Sequence, residues 1–276
     1  MRMLGDHGVR GALKSVLAAR PSRRDAQGAT LLIYHRVGGG TTNELDVTPD
    51  AFARHVDALG GHDVLSLDAA LDRLDAGDAT PSVVLTFDDG FADVYRNAWP
   101  LLRKRRLPFT IYLATAYMGA PMQWEGATAK GEPGRGLSWD QIHEMVDSGL
   151  CTLGNHTHRH VRPEVLTVEE LDACTAEVFR YTGLKPQHFT YPWGIPVPAL
   201  DDAMRQRFRS ASTGALGRNL PGVDHARLYR VPVRRTDPDR FFAAKLAGNL
   251  GPETAYAGLV DAAKTLTGRR QRASSA

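Results

Sequence analysis

The stretch SVVLTFDDGF, Ser82 to Phe91, sets the reading of the whole chain. Val83, Val84, Leu85 and Phe87 make a short run of the kind used by a strand buried on both faces. Asp88, Asp89 and Gly90 then stop it. Side chains alternate along a strand, so the two neighbouring carboxylates point in different directions and can hold different tasks. An Asp-Gly turn after a strand is common, so the meaning of the pair depends on what else leaves the fold at the same end.

To either side of this stretch, strand-like runs alternate with helical patterns. LLIY (31–34) ends at His35. Thr48-Pro49 supplies an N-cap and a proline at the first helical position, for a helix stopping near Gly60-Gly61. A second helix is predicted from Ser66 to Gly77 and a third over Tyr95–Arg106. FTIYL (109–113) is the next strand. Ser138 and Gln141 form a capping box for a helix closing at Gly149, and CTLGN (151–155) follows as a strand. Thr167 and Glu170 form a second capping box, with its helix closing at Gly183, before HFTY (188–191). A helix over Ala199–Phe208 and strands near 209–213 and 229–233 complete the series. Repeated β-α alternation with short connections predicts a mainly parallel sheet. About seven strands fit an incomplete barrel better than an open sheet.

At 276 residues the chain can bury a substantial core in one domain. A net charge of +3 gives no reason to expect a nucleic-acid partner. Cys151 and Cys174 lie in no metal or redox pattern and read as buried thiols. No run is long enough to cross a bilayer, and the N-terminus has no secretory apolar core. These features predict a cytoplasmic protein. Residues 1–28 stand apart: Arg2, Arg10, Lys14, Arg20, Arg23 and Arg24 face only Asp6 and Asp25, and Val9, Leu13, Val16 and Leu17 fall at helical spacing. The segment is predicted to be a basic amphipathic helix with weak affinity for the inner membrane face, through a stripe including Arg10, Lys14 and Arg20. Residues 29–268 read as one domain and 269–276 as a disordered tail.

Active sites of β/α barrels gather where the strands end. The residues leaving these strands are His35-Arg36, Asp88-Asp89, Asn155-His156-Thr157-His158-Arg159-His160 and Tyr191-Pro192-Trp193-Gly194. His156 and His160 are four apart, which on a helical turn puts both imidazoles on one face and His158 on the other. With one carboxylate of the Asp88-Asp89 pair they make a His₂Asp set that keeps positions open, as a catalytic Zn²⁺ or similar divalent site requires. The second carboxylate is then free to take a proton from the attacking water. That chemistry is hydrolysis at a carbonyl centre.

TFDDG (86–90), HTHRH (156–160) and FTYPWG (189–194), in this order on successive strands, resemble the motifs of the NodB-type polysaccharide deacetylases, carbohydrate esterase family four. The likeness runs from about Leu31 to Val233. The first strand, ending in YHRV (34–37), looks especially like the branch of biofilm poly-N-acetylglucosamine deacetylases. The resemblance implies a distorted (β/α)₇ barrel, a divalent metal (Zn²⁺, with Co²⁺ or Ni²⁺ as alternatives) and removal of N-acetyl groups from a saccharide. It implies Asp88 as general base, Asp89, His156 and His160 as metal ligands, and His35 as the acid. It also implies Tyr191, Pro192 and Trp193 at the substrate, with the Trp193 backbone N–H in the oxyanion hole.

Two departures stand out. Most members of the family carry an arginine where this chain has Thr190, and that arginine orients the catalytic Asp; Arg36, Arg159 and Arg230 are the candidates to replace it. Trp193 stands where Tyr is usual. The C-terminal His225 lacks the context of the family's catalytic histidine. Trp124 either stacks on a sugar or anchors its own loop, Trp99 and Trp139 read as packing residues, and His55 and His62 as surface residues. Two other functions fit the same pattern. One is a different amide hydrolase, such as a deformylase or ring amidohydrolase; the other is a silent saccharide-binding domain, favoured by the missing arginine.

Overall fold

In the computed structural model, which describes residues 2–19, 26–124, 133–260 and 262, Ser82–Phe87 is a central strand with all six residues buried. The strands, in chain order, are β1 (Ala29–Tyr34), β2 (Arg36–Val37), β3 (Asp46–Val47), β4 (Ser82–Phe87), β5 (Phe109–Leu113), β6 (Cys151–Asn155), β7 (His188–Thr190), β8 (Ser210–Ser212) and β9 (Val231–Pro232). Seven of them form one sheet in the order β8-β7-β6-β5-β4-β1-β9, and every pairing in it is parallel. β2 and β3 pair separately. The sheet curls into an incomplete barrel of the distorted (β/α)₇ kind. β8 and β9 do not pair; an isolated bridge from Ser212 to Leu228 lies beyond β8.

The register explains the site's position. β1 and β4 run side by side from Ala29↔Ser82 to Tyr34↔Phe87, so His35 and Asp88 leave the sheet together. Asp88 N–H still donates to Tyr34 C=O, extending the ladder one residue past the strand. Leu113↔Asn155 brings the histidine segment to the same end of neighbouring β6.

The predicted helices appear over Pro49–Ala58, Leu67–Asp75, Trp139–Asp147, Val168–Thr182 and Asp201–Arg207, and Thr48, Ser66 and Ser138 cap theirs with side-chain oxygens. The stretch expected as one helix over 95–106 is divided into a wide π-type turn, Val94–Ala98, and a helix, Trp99–Arg105. Pro100 has no N–H to offer the preceding turn, which opens the ladder there. The second capping box does not form: Thr167 makes no side-chain cap. Glu170 instead accepts the backbone N–H and the Nε of Arg159, at 2.8 and 2.6 Å, and ties down the histidine loop. His55 is buried, contrary to expectation, because Ala51 and Phe52 one turn earlier carry the helix's inner face; its Nδ1 meets the Tyr34 hydroxyl at 3.2 Å. Trp99 is buried and Trp139 stacks on Tyr181, both as packing residues, and the two cysteines are buried free thiols.

Contacts divide the chain into Gln27–Arg235, which holds the sheet, and a second unit drawn from 1–26 and 236–276. The sheet-bearing unit lies within the 29–268 domain expected from the sequence except for its first two residues, and the expected tail, 269–276, lies outside the described residues. In the second unit the helix Arg2–Leu17 turns Lys14 inward rather than into an exposed basic stripe. Lys14 Nζ donates to Thr236 Oγ1 at 2.8 Å and to Asp237 Oδ1 at 2.7 Å, and Lys245 Nζ takes the other Asp237 oxygen at 2.6 Å. Burial alone would raise the Asp237 carboxyl, but Lys245 and Lys14 outweigh it and lower it from 3.8 to about 2. A carboxyl lowered on folding stabilises above its unfolded pKa, and the contribution fades as pH falls towards its folded value. It amounts to about 2 kcal/mol. Asp237→Asn should therefore flatten the loss of stability between about pH 4 and about pH 2, while costing about 3 kcal/mol at neutral pH by removing a carboxylate that, with Glu253, balances the two buried ammonium groups. Urea unfolding across that range checks this; parallel curves for the two proteins would refute it.

Candidate active site

The turn after β4 sets the two aspartates apart. Asp88 continues the strand, whereas Asp89 takes a left-handed backbone (φ 75°), a region that Asp tolerates better than most residues. Asp89 C=O accepts from Ala114 N–H, which locks the turn to the end of β5. The carboxylates diverge accordingly. Asp88 Oδ1 accepts from Arg230 Nη1 at 2.7 Å, while Asp89 Oδ1 lies 3.2 Å from His156 Nε2 and 3.3 Å from His160 Nε2.

His156 and His160 converge without the helical turn expected from their spacing. Residues 156–160 form an irregular loop in which Thr157 and His160 are left-handed, at φ 68° and 51°. Asn155, which the sequence reading gave no role, shapes it: its Oδ1 accepts from Thr157 N–H and its Nδ2 donates to Leu171 C=O. His158 is turned away, with Nδ1 2.9 Å from Thr115 Oγ1. His156 Nδ1 lies 2.8 Å from the Thr190 carbonyl, which can only accept, so Nδ1 carries the proton and Nε2 presents a lone pair.

That lone pair faces a carboxylate oxygen. Asp89 Oδ1 is buried and receives no properly aligned hydrogen bond. Lone pairs meeting in a buried space form a site suited to a cation. The three ligand atoms lie within 4.8 Å of one another, and two imidazole nitrogens with one carboxylate oxygen suit a divalent metal with coordination positions to spare. The Asp88 carboxyl lies below its ordinary value: burial opposes ionisation, and the Arg230 guanidinium beside it acts the other way.

Arg230 was one of three candidates to replace the arginine missing at 190. Arg36 is committed to Asp93 at 2.8 Å and Arg159 to Glu170. Arg230, almost wholly buried, anchors its Nε on Thr213 C=O at 3.1 Å and lays its guanidinium against Asp88. Thr190 serves the site through its backbone, as the acceptor for His156.

A cavity of about 440 Å³ opens over these groups, lined among others by His35, Asp88, Asp89, His156, His160, Trp124, Trp193 and Arg230. Trp124 packs on the His160 ring with centroids 4.4 Å apart, and Trp193 meets the same ring at 5.6 Å. Trp193 is left-handed (φ 63°) and more than a third exposed. The next residue must be Gly194, because a Cβ there would come 2.6 Å from Gly214 Cα. Tyr191 and Pro192, placed at the substrate by the sequence reading, are buried outside the cavity lining; Tyr191 belongs to a core cluster with Phe189 and Phe208. His225 pairs with Asp75 at 3.0 Å, away from the cavity lining. Asn43, Leu45 and Arg234 also line the cavity and carry no local motif that marks them in the sequence.

A family model described as polysaccharide deacetylase matches residues 76–212. The solved structure of IcaB from Ammonifex degensii is 31% identical, with a TM-score of 0.69 over 82% of this chain and 98% of that one. BC0361, a polysaccharide deacetylase from Bacillus cereus, shares the fold at 22% identity and a TM-score of 0.66, covering 80% of this chain and 69% of that one. The poly-beta-1,6-N-acetyl-D-glucosamine N-deacetylase of Staphylococcus epidermidis is 29% identical over 147 residues, 47% of this chain and 48% of that protein. The chain spans about half the length of the curated relatives it matches.

Proposed function

Because the chain belongs to the polysaccharide deacetylase family, we propose that it is a metal-dependent hydrolase that removes N-acetyl groups from the amino sugars of a saccharide. The observation carrying this reading is the divergence of Asp88 and Asp89, one carboxylate held by an arginine and the other facing two imidazoles.

Asp89, His156 and His160 would hold the cation, for which Zn²⁺ is the first choice and Co²⁺ or Ni²⁺ the alternatives. Bound there, its chemistry is to acidify a water and polarise the acetamide carbonyl. Asp88 takes the proton from the attacking water. Its Oδ1 is occupied by Arg230 Nη1, so Oδ2 is the accepting atom. The water oxygen adds to the acetyl carbon, and the Trp193 backbone N–H donates to the carbonyl oxygen as charge develops on it. His35, on the cavity wall, protonates the departing nitrogen. The C–N bond breaks to give acetate and a free amine. Trp124 and Trp193 bound the space for the sugar.

Arg230 also counts against the reading as a silent binding domain, since the cation missing at position 190 arrives from beside β9. The Staphylococcus relative's name makes β-1,6-linked N-acetylglucosamine oligomers the first substrate to try. Protein stripped with a chelator should release no acetate from them and regain turnover with Zn²⁺, Co²⁺ or Ni²⁺. Stripped protein that deacetylates at the full rate would overturn the metal-dependent mechanism. A loaded protein inactive on N-acetylated oligosaccharides, nucleotide sugars and glycolipids alike would overturn the activity.

A further inference from the structure

The helix Arg2–Leu17 is arranged opposite to an ordinary surface helix. Its Lys14 is fully buried, while Val9 and Val16 are 68% and 70% exposed and Leu13 is 36% exposed. Gly8 and Ala12 are exposed beside them. Positions 8, 9, 12, 13 and 16 share one helical face, so an uncharged stripe points away from the contacts made by Lys14.

We infer that this stripe docks on an anionic lipid surface. An apolar helix face set among basic residues lies in the headgroup region, its hydrophobic side chains inserted and its cations held by the lipid charge. Arg2, Arg10, Arg20, Arg23 and Arg24 surround the stripe in sequence, against Asp6 and Asp25. A second copy of the chain fits less well. The nine residues from 8 to 16 measure about 14 Å of helix. A strip that long and about 10 Å wide falls far short of the roughly 800 Å² per partner of a stable interface. Two copies would also bring like charges together. Lys14 adds no attraction for lipid; tied to Thr236 and Asp237, it holds the helix so that the stripe is presented before contact.

The test is sedimentation of the full-length protein with phosphatidylglycerol-containing and pure phosphatidylcholine vesicles, at low and high salt. Wild type should bind the anionic vesicles at low salt and largely release at high salt. Val9→Glu/Val16→Glu should partition at least about tenfold more weakly, because two inserted side chains become charged. Both positions are exposed, so its circular dichroism and turnover of a soluble substrate should match wild type. Arg20→Gln/Arg23→Gln/Arg24→Gln should lose the preference for anionic over neutral vesicles. Wild type that stays in solution at low salt, or a valine variant that binds equally well, overturns the inference. So does a wild-type dimer that the valine variant dissociates, since a second copy would then cover the stripe.

Discussion

Asp88→Asn is expected to keep its metal and to lose about 10²–10⁴-fold in kcat, the usual contribution of a positioned general base. Asp89→Asn is expected to lose metal first. The physical difference lies in what each carboxylate faces. Asp89 Oδ1 meets two imidazole nitrogens at 3.2 and 3.3 Å, so an amide there removes the anionic donor from a three-ligand set. Asp88 faces Arg230, and an asparagine oxygen can still accept that guanidinium while no longer taking a proton from water. Elemental analysis of metal per chain and acetate release under saturating metal separate the two. A metal-free Asp88→Asn protein beside a metal-replete Asp89→Asn protein would reverse the assignment.

Arg230→Met should produce the second-largest effect, with a distinctive pH signature. In the intact site the guanidinium outweighs the burial of Asp88 and keeps its carboxyl below the ordinary value. Without it burial dominates and the carboxyl rises. A base whose pKa rises is protonated over more of the pH range, so the acid limb of the kcat/KM profile should move to higher pH. We expect a loss of about 10²-fold at neutral pH that narrows in alkali. Arg230→Lys should recover part of the rate, since charge does most of the work. Metal content should not change, because Arg230 touches no ligand atom. An unshifted pH profile for Arg230→Met would show that the residue is only structural. The variant is also expected to lose about 3–5 kcal/mol of stability, the usual consequence of stranding a buried charge.

What could be read from the sequence follows the range of the interactions. SVVLTF and FTIYL are strands for a local reason, burial on both faces, and their ends could be placed to within a residue or so. The histidine pair was also visible, although its convergence comes from left-handed residues and the Asn155 hydrogen bonds rather than from a helical turn. The choice among Arg36, Arg159 and Arg230 was not visible, because it depends on which partners capture the other two. Asp93 is 57 residues from Arg36, and Asp88 is 142 from Arg230. Lys14 shows the same limit more sharply. Its partner Asp237 lies 223 residues away, so helical periodicity alone assigned it to a solvent-facing stripe.

Among the described non-glycine residues, positive φ occurs at five, and four of these, Asp89, Thr157, His160 and Trp193, lie in the loops that carry the proposed metal ligands or in the turn beside them. Each such backbone costs roughly 1–2 kcal/mol relative to an ordinary conformation. An engineer seeking a more heat-resistant variant would find glycine attractive at all four, since it relaxes the chain there. At Asp89 and His160 the same exchange deletes a proposed ligand, and at Trp193 it strips a wall from the cavity. Selection for thermal tolerance alone should therefore drift towards inactive proteins through these positions, and a screen that scores turnover alongside melting is the one that would keep the catalyst.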